Sequence, residues 1–392
     1  MLNLAFDKKK IFPGFLLIIL SVLLFVPTSY SHAYTRSADS LSDFYQHMKW
    51  AMSLQKHGAG SIPAFALAHS GWEWLLVFLN SVLGISFNFA GFIAALFFSV
   101  LSVFILFLWY WPVLSKTNRP VWKILVILLG VSIAAPLSLL WPFDKLLYLG
   151  YIGITTYHSP TMLFLKPFAV LQFIYAYHCF GNIYPLKGRQ IIFAAIVSLL
   201  STFVKPSLAI CVLPALSIVS VYWLLQKRYV NIPALIFGIG LPTLFVLVWQ
   251  FFVVYLVNDA DGIQFVPFGV MRAFSGYLGL KFFLSIVFPL AVLLLYFKQA
   301  MKDTRMILGW LIFLFGLLFT YFFAENSRFM EGNFAWSSEI ALVLLFMVST
   351  LFCLEVFQKS KIQKWTLSVL WSSHVIFGIV YYVYCVFNQP YY

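Results

Sequence analysis

Asp39, Asp43 and His47 recur at four-residue intervals in the stretch SADSLSDFYQHMKW, residues 37–50, which lies between long runs of Leu, Phe, Ile and Val. Only 9% of the chain is charged, so ionisable chemistry is concentrated here. A carboxylate at a cleft can take the proton from a sugar hydroxyl as that hydroxyl attacks, or it can hold a divalent metal. Asp43 is the candidate catalytic carboxylate. His47 would orient it or substitute for it, and Asp39 either caps the following helix or joins the same polar stripe. From Leu41 to Lys56 the residues Leu41, Phe44, Tyr45, Met48, Ala51 and Met52 recur at helical spacing, with Asp43, Gln46 and His47 opposite. That pattern predicts an amphipathic helix lying on the outer surface.

Other candidates follow along the chain. In PAFALAHSGWEWLLVFLNSVLG, His69 and Glu73 stand four residues apart ahead of a short apolar helix ending at Gly84. In YHSPTMLFLKPF, Ser159 suits an N-cap and Pro160 the first helical position, so free amides and a positive dipole end would face outward beside His158. Lys166 lies about two turns down that helix. In STFVKPSLAICVLPAL the helical run from Ile191 to Val204 would be about 21 Å long, short of a hydrocarbon core of roughly 30 Å. Lys205 would therefore sit below the outer surface, where a cation must face water or an anion. Arg272 in FGVMRAFSGYLG and Arg328 in FAENSRFMEGNFAW, with Glu325 beside it, are further substrate-binding candidates, because a guanidinium grips a phosphate through two parallel hydrogen bonds. No P-loop, GxSxG, HExxH or dinucleotide-binding fingerprint occurs in a usable context.

The elements that must position these residues are membrane helices. The 392 residues are 62% hydrophobic and 20% aromatic, with a mean hydropathy of +0.94, far outside the range of a soluble domain. Apolar runs near residues 11–30, 88–113, 124–141, 161–180, 191–204, 208–225, 232–257, 281–297, 306–323, 339–357 and 365–386 predict about eleven transmembrane helices. The whole chain reads as one polytopic all-α membrane domain, with residues 31–87 forming its longest outer loop. The run after KKK, followed by SYSHA, has the outline of a secretory signal, but its near-spanning length favours an uncleaved anchor. With a cytoplasmic N-terminus every inside connection is basic, as the positive-inside rule requires. Nine of the twelve acids then fall outside. The net charge of +13 is scattered in small groups between apolar runs, which argues against nucleic acid as a partner. Cys179, Cys211, Cys353 and Cys385 form no CxxC pair and read as packing residues.

An acid just after the first helix, an amphipathic segment, and long outer loops above tight basic inner ones give a layout that resembles the GT-C type glycosyltransferases. These are multispanning bacterial and related enzymes that use polyprenyl-phosphate sugars on the outer face of the membrane. The likeness rests on SDFYQHMKWAMSL, PAFALAH, HSPT, VKPS and EGNFAW. It implies an inner-membrane transferase with a polyprenyl-phosphate-linked sugar donor, a glycan or lipid acceptor, membrane lipids around it, and Asp43 as the residue that activates the acceptor. It also implies that Lys205, Arg272 or Arg328 holds the departing lipid phosphate. The first loop carries D-x-x-x-D in place of the family's DxD or Glu-rich metal motif, so a requirement for Mg or Mn stays open. Two rival readings remain. An O-antigen or capsule polymerase usually carries its dominant outer loop between late spans, and a transporter or flippase needs ionisable residues near midmembrane, where only His374, Lys166 and Lys205 are placed.

The assignment of faces is testable by reporter fusions after Lys123, Lys187, Lys227, Lys302 and Lys361. All should report the cytoplasm, and periplasmic signals at two or more would overturn it.

Overall fold

Apolar runs in lipid must satisfy every backbone amide within the segment, so they fold as helices. The structure, a computed structural model, describes residues 8–35, 42–117, 120–181, 186–256, 262–356 and 360–387; Asp39 lies outside them. The helices are α1 Lys8–Tyr30, α2 Asp43–His57, α3 Ala64–Ala68, α4 Gly71–Leu83, α5 Phe87–Leu114, α6 Val121–Ile133, α7 Trp141–Asp144, α8 Pro160–His178, α9 Gly188–Val204, α10 Ala209–Leu225, α11 Ile232–Leu235, α12 Leu241–Phe251, α13 Gly269–Phe274, α14 Leu278–Leu295, α15 Phe297–Ala300, α16 Thr304–Phe322, α17 Trp336–Glu355 and α18 Lys361–Phe387. α11 and α12 join through a π-helical turn, Ile236–Gly240, into one long helix. Among the described residues, seven helices are long and apolar enough to cross a membrane: Lys10–Tyr34, Phe87–Leu114, Ile232–Leu256, Leu278–Leu295, Thr304–Phe322, Phe329–Glu355 and Lys361–Phe387. The chain is a multi-pass, all-α membrane protein.

α17 is the central post. Its residues from Ser337 to Phe352 are buried on every side, as expected of a helix that is apolar all round. α16 packs closely against it at Gly316, where a Cβ would lie 2.8 Å from the Ser337 carbonyl oxygen. One turn on, the Thr320 hydroxyl donates to Ser338 Oγ at 2.7 Å. Small residues and a hydroxyl contact of this kind let two membrane helices approach without help from water. α1 packs on α5, and the Tyr382 hydroxyl of α18 donates to the Leu24 carbonyl at 2.6 Å, so the first helix is built into the bundle.

Two sequence expectations need correction. The helix expected over 124–141 ends at Ile133, because Pro136 lacks an amide donor and disfavours helix in the residue before it. The extended stretch that follows is buried, and neighbours satisfy it: Ala135 N–H donates to the His374 carbonyl at 3.0 Å, Leu137 N–H to the Leu284 carbonyl at 3.1 Å, and His374 Nδ1 to the Ala135 carbonyl at 2.7 Å. His374 thus closes a helix break. The apolar stripe of α2 is also rotated from the expected one. Phe44, Met48, Ala51 and Leu54 are buried, while Met52 is 53% exposed. α2 packs against α4, with Phe44 edge-on to Trp72 at 5.9 Å, and its polar face is turned inward over the bundle.

The irregular segments converge at one end. β1, Ile263–Phe265, pairs antiparallel with β2, Phe323–Glu325, and fixes Ile263 opposite Glu325. The loop before α8 is pinned at Gly150, whose φ of +84 and contacts with Ser275 and Lys281 leave no room for a Cβ.

The seal at the α6 break is testable at Gly378, where a Cβ would meet the Ile133 carbonyl oxygen at 2.0 Å. Gly378→Ala should destabilise the detergent-solubilised protein by about 1–3 kcal/mol through overpacking. Gly91→Ala, where a Cβ would meet nothing within 4 Å, should be neutral or slightly stabilising in a thermal melt.

Candidate functional site

The convergence of loops encloses a cavity of about 790 Å³, within the usual size range for small-molecule sites. Its wall brings together Asp43 and His47 from α2, His69 from the turn after α3, His158 and Thr161 at the start of α8, and Lys205 from the turn after α9. Arg328 and Glu331 from the segment after β2, and Trp336 and Glu339 from the start of α17, complete its polar side. These groups come from positions up to 296 residues apart, from Asp43 to Glu339.

Each has a local reason for its place. Asp43 opens α2, where a carboxylate in the first turn complements the helix dipole. One turn on, His47 Nδ1 donates to Glu73 Oε1 at 2.5 Å, and Glu73 is fully buried. This contact orients the imidazole at the cavity wall. His69 also lines the wall, but Glu73 lies behind it and serves His47. Burial above all, reinforced by the positive fields of Lys205, His47 and Arg328, pushes the His69 imidazole down to about 3. It is neutral throughout the physiological range.

Lys205 ends α9, and Gln250 holds the turn by donating to the Thr202 carbonyl and to the Ala68 carbonyl, each at 2.9 Å. The Lys205 ammonium donates to Thr161 Oγ1 at 3.1 Å and stands 4.3 Å above the Trp336 ring. Among the described residues no carboxylate makes an ion pair with it; the acids whose fields reach it are Asp43, Glu339 and Glu73. Arg328 is differently placed. It donates to Glu325 at 2.7 Å, lies 3.6 Å from Glu331, and covers the Phe65 ring at 4.0 Å. Pro160 stands at the first position of α8 after Ser159, so the amide end of that helix opens beside Thr161 and Lys205.

The structure does not gather every sequence candidate. Arg272 is exposed on α13 and stacks over Phe268 at 5.7 Å, because Met271 and Phe274 of the same short helix face the cavity. Neither Lys166 nor Glu325 is among the residues lining the cavity, and Glu325 pairs with Arg328. Two features were missed. Glu339 is buried and accepts hydrogen bonds from Thr156 Oγ1 at 3.1 Å and from the Tyr148 hydroxyl. Lys281, with a fully buried side chain, pairs with Asp144 at 2.6 Å and donates to the Leu149 carbonyl at 2.8 Å, bracing the wall at Leu149–Tyr151. The signal for Lys281 was present in the sequence, as a lone cation inside an apolar helix. Among the described residues no group of three or more His, Cys, Asp and Glu is arranged to hold a metal ion.

The chain matches no family model, no curated protein and no solved structure. The function must therefore be argued from this cavity.

The neutral state of His69 has a measurable consequence. An unfolded histidine protonates near pH 6.5, so below that value the unfolded chain binds a proton that folded His69 refuses, and stability is lost as pH falls toward 3. In melts taken from pH 7 to pH 4, His69→Gln should flatten the decline. An unchanged slope would show that His69 is not buried neutral.

Proposed function

We propose that the protein is a membrane glycosyltransferase that moves a sugar from a polyprenyl-phosphate donor to a glycan or lipid acceptor. The observation that carries this reading is the presence in one cavity of a half-buried carboxylate, Asp43, and an ammonium group, Lys205, that has no ion-pair partner among the described residues and stands beside a helix amide end. The first can accept a proton and the second can accept a departing phosphate.

In this reading the donor's phosphate lies against Lys205, Thr161 and the first amides of α8. The acceptor hydroxyl gives its proton to Asp43 as its oxygen attacks the anomeric carbon. The bond from that carbon to the phosphate oxygen breaks, and the lipid phosphate leaves with its charge facing Lys205. Arg328 lies at the edge of the same wall, held by Glu325. The His47–Glu73 pair stands one turn from Asp43 and fixes the polar face of α2 toward the acceptor. Among the described residues no group of three metal-ligating side chains includes Asp43, so Mg or Mn there would take further ligands from a substrate, such as phosphate oxygens.

Seven long helices together with α6, α8, α9 and α10 make eleven spans. The positive-inside pattern then puts the cavity on the outer face of a bacterial inner membrane. The residues lining it fall in segments assigned to that face, whereas Arg305, Asp303 and Glu355 pair with one another at the opposite end.

The test uses purified protein in nanodiscs, polyprenyl-phosphate sugars and candidate acceptors. Asp43→Asn should lower transfer by roughly 100-fold to 10,000-fold, the usual worth of a general base, because the amide keeps shape but accepts no proton. Lys205→Ala should weaken donor use while the protein still inserts. Full activity with Asn at 43 would remove Asp43 from the mechanism, and normal donor affinity in the Lys205 variant would move the phosphate site elsewhere.

A further inference from the structure

A second cavity of about 990 Å³ opens at the far end of α17, between α6, α14, α17 and α18. Glu339 and Glu355 mark the two ends of that central helix, roughly 24 Å apart at the rise of an α-helix. The second cavity is therefore separate from the candidate site.

The cleft runs beside the first half of α6, at Trp122, Lys123, Val126 and Ile127. α6 and α18 touch at Gly130, whose Cβ position falls 2.5 Å from the Trp371 ring, and the cleft lies between that contact and Lys123 and Lys364. Its deep wall is apolar, with Val126, Ile127, Phe288 and Leu367. Its mouth carries two exposed lysines, Lys123 and Lys364, and Ser368 and Ser372 stand one turn apart on α18. Neither lysine makes an ion pair among the described residues, and Lys123 only overlies the Trp122 ring at 5.3 Å. The one acid in the lining, Glu355, is already bound to Arg305 through Nη1 at 2.9 Å and again through Nη2. The cleft thus combines an apolar depth, two uncompensated cations and a Trp at its rim, which is the arrangement found where membrane proteins meet lipid head groups.

We infer that this cleft binds a diacyl phospholipid with an anionic head group, its phosphate between Lys123 and Lys364 and its acyl chains along Val126, Phe288 and Leu367. A small soluble anion would leave the apolar wall unfilled, and a zwitterionic lipid brings its own ammonium beside its phosphate, so only an anionic head group adds net negative charge against the two lysines. The bound lipid fills the bundle where α6 and α18 part, from the Gly130–Trp371 contact toward Lys123 and Lys364.

The experiment is native mass spectrometry and thermal melting of the delipidated full-length chain after adding phosphatidylglycerol or phosphatidylcholine. The wild type should retain one phosphatidylglycerol in preference to phosphatidylcholine and melt higher with it. Lys123→Gln combined with Lys364→Gln should lose most of that preference, roughly 30-fold at low salt for two surface cations. Lys227→Gln combined with Lys298→Gln, which removes two exposed cations outside the cleft, should keep it. Equal binding of the two lipids by the wild type would overturn the inference, as would an equal loss in the control variant. Neither result depends on any transferase activity.

Discussion

A charge inside an apolar bundle must meet an opposite charge, a set of hydrogen bonds or water, because removing it from all three costs several kcal/mol. That constraint organises the whole upper end of this protein. Lys281 reaches Asp144 and the Leu149 carbonyl, His47 reaches Glu73, Arg328 reaches Glu325, and Glu339 is bound by Tyr148 and Thr156. Apart from the Arg328–Glu325 pair, whose members are neighbours in the chain, each contact joins segments that chain order keeps apart, so neutralising the charges also ties the loops together. Lose the Lys281–Asp144 pair, and the wall at Leu149–Tyr151 loses its brace as well as its counter-charge.

The same demand applies to the backbone. Irregular chain at membrane depth survives only where protein or a cavity satisfies its amides and carbonyls. The stretch after α6 does so through the carbonyls of His374 and Leu284, and the turn at Lys205 does so through the side-chain amide of Gln250. The first ends α6 at Ile133 against α18, and the second places a lysine ammonium at the cavity wall, against Thr161 instead of in bulk water.

Much of this is legible in the sequence. Periodicity and composition gave the eleven apolar runs, each of which is overlaid by a helix, and the length argument for α9 drew attention to Lys205. What escaped has physical causes. Whether Met52 or Leu54 is the buried member of α2 depends on where α4 packs, which no local pattern states. Arg272 sits on a six-residue helix, too short to carry a periodic pattern, that packs against α16 with Val270 and Met271 buried and Arg272 left exposed. Glu339 looked like any acid at a helix start, because its partners Tyr148 and Thr156 are 191 and 183 residues away. The break at Pro136 was the exception. Its proline was visible, and the apolar run around it masked the signal.

The contrast between Lys205 and Arg328 indicates which cation an anion would meet first. Both face the cavity, and a guanidinium is ordinarily the better phosphate ligand because it can donate two parallel hydrogen bonds. Arg328, however, is held by Glu325, lies close to Glu331 and is flattened on Phe65. An incoming phosphate would have to displace a carboxylate already in contact, exchanging one ion pair for another with little net gain. Lys205 holds only a neutral hydroxyl and an aromatic face. An anion arriving there forms a new ion pair without breaking one, and the amide end of α8 adds to the attraction from the same side. The more weakly coordinating side chain therefore offers the stronger site, because its neighbours have left its charge unspent.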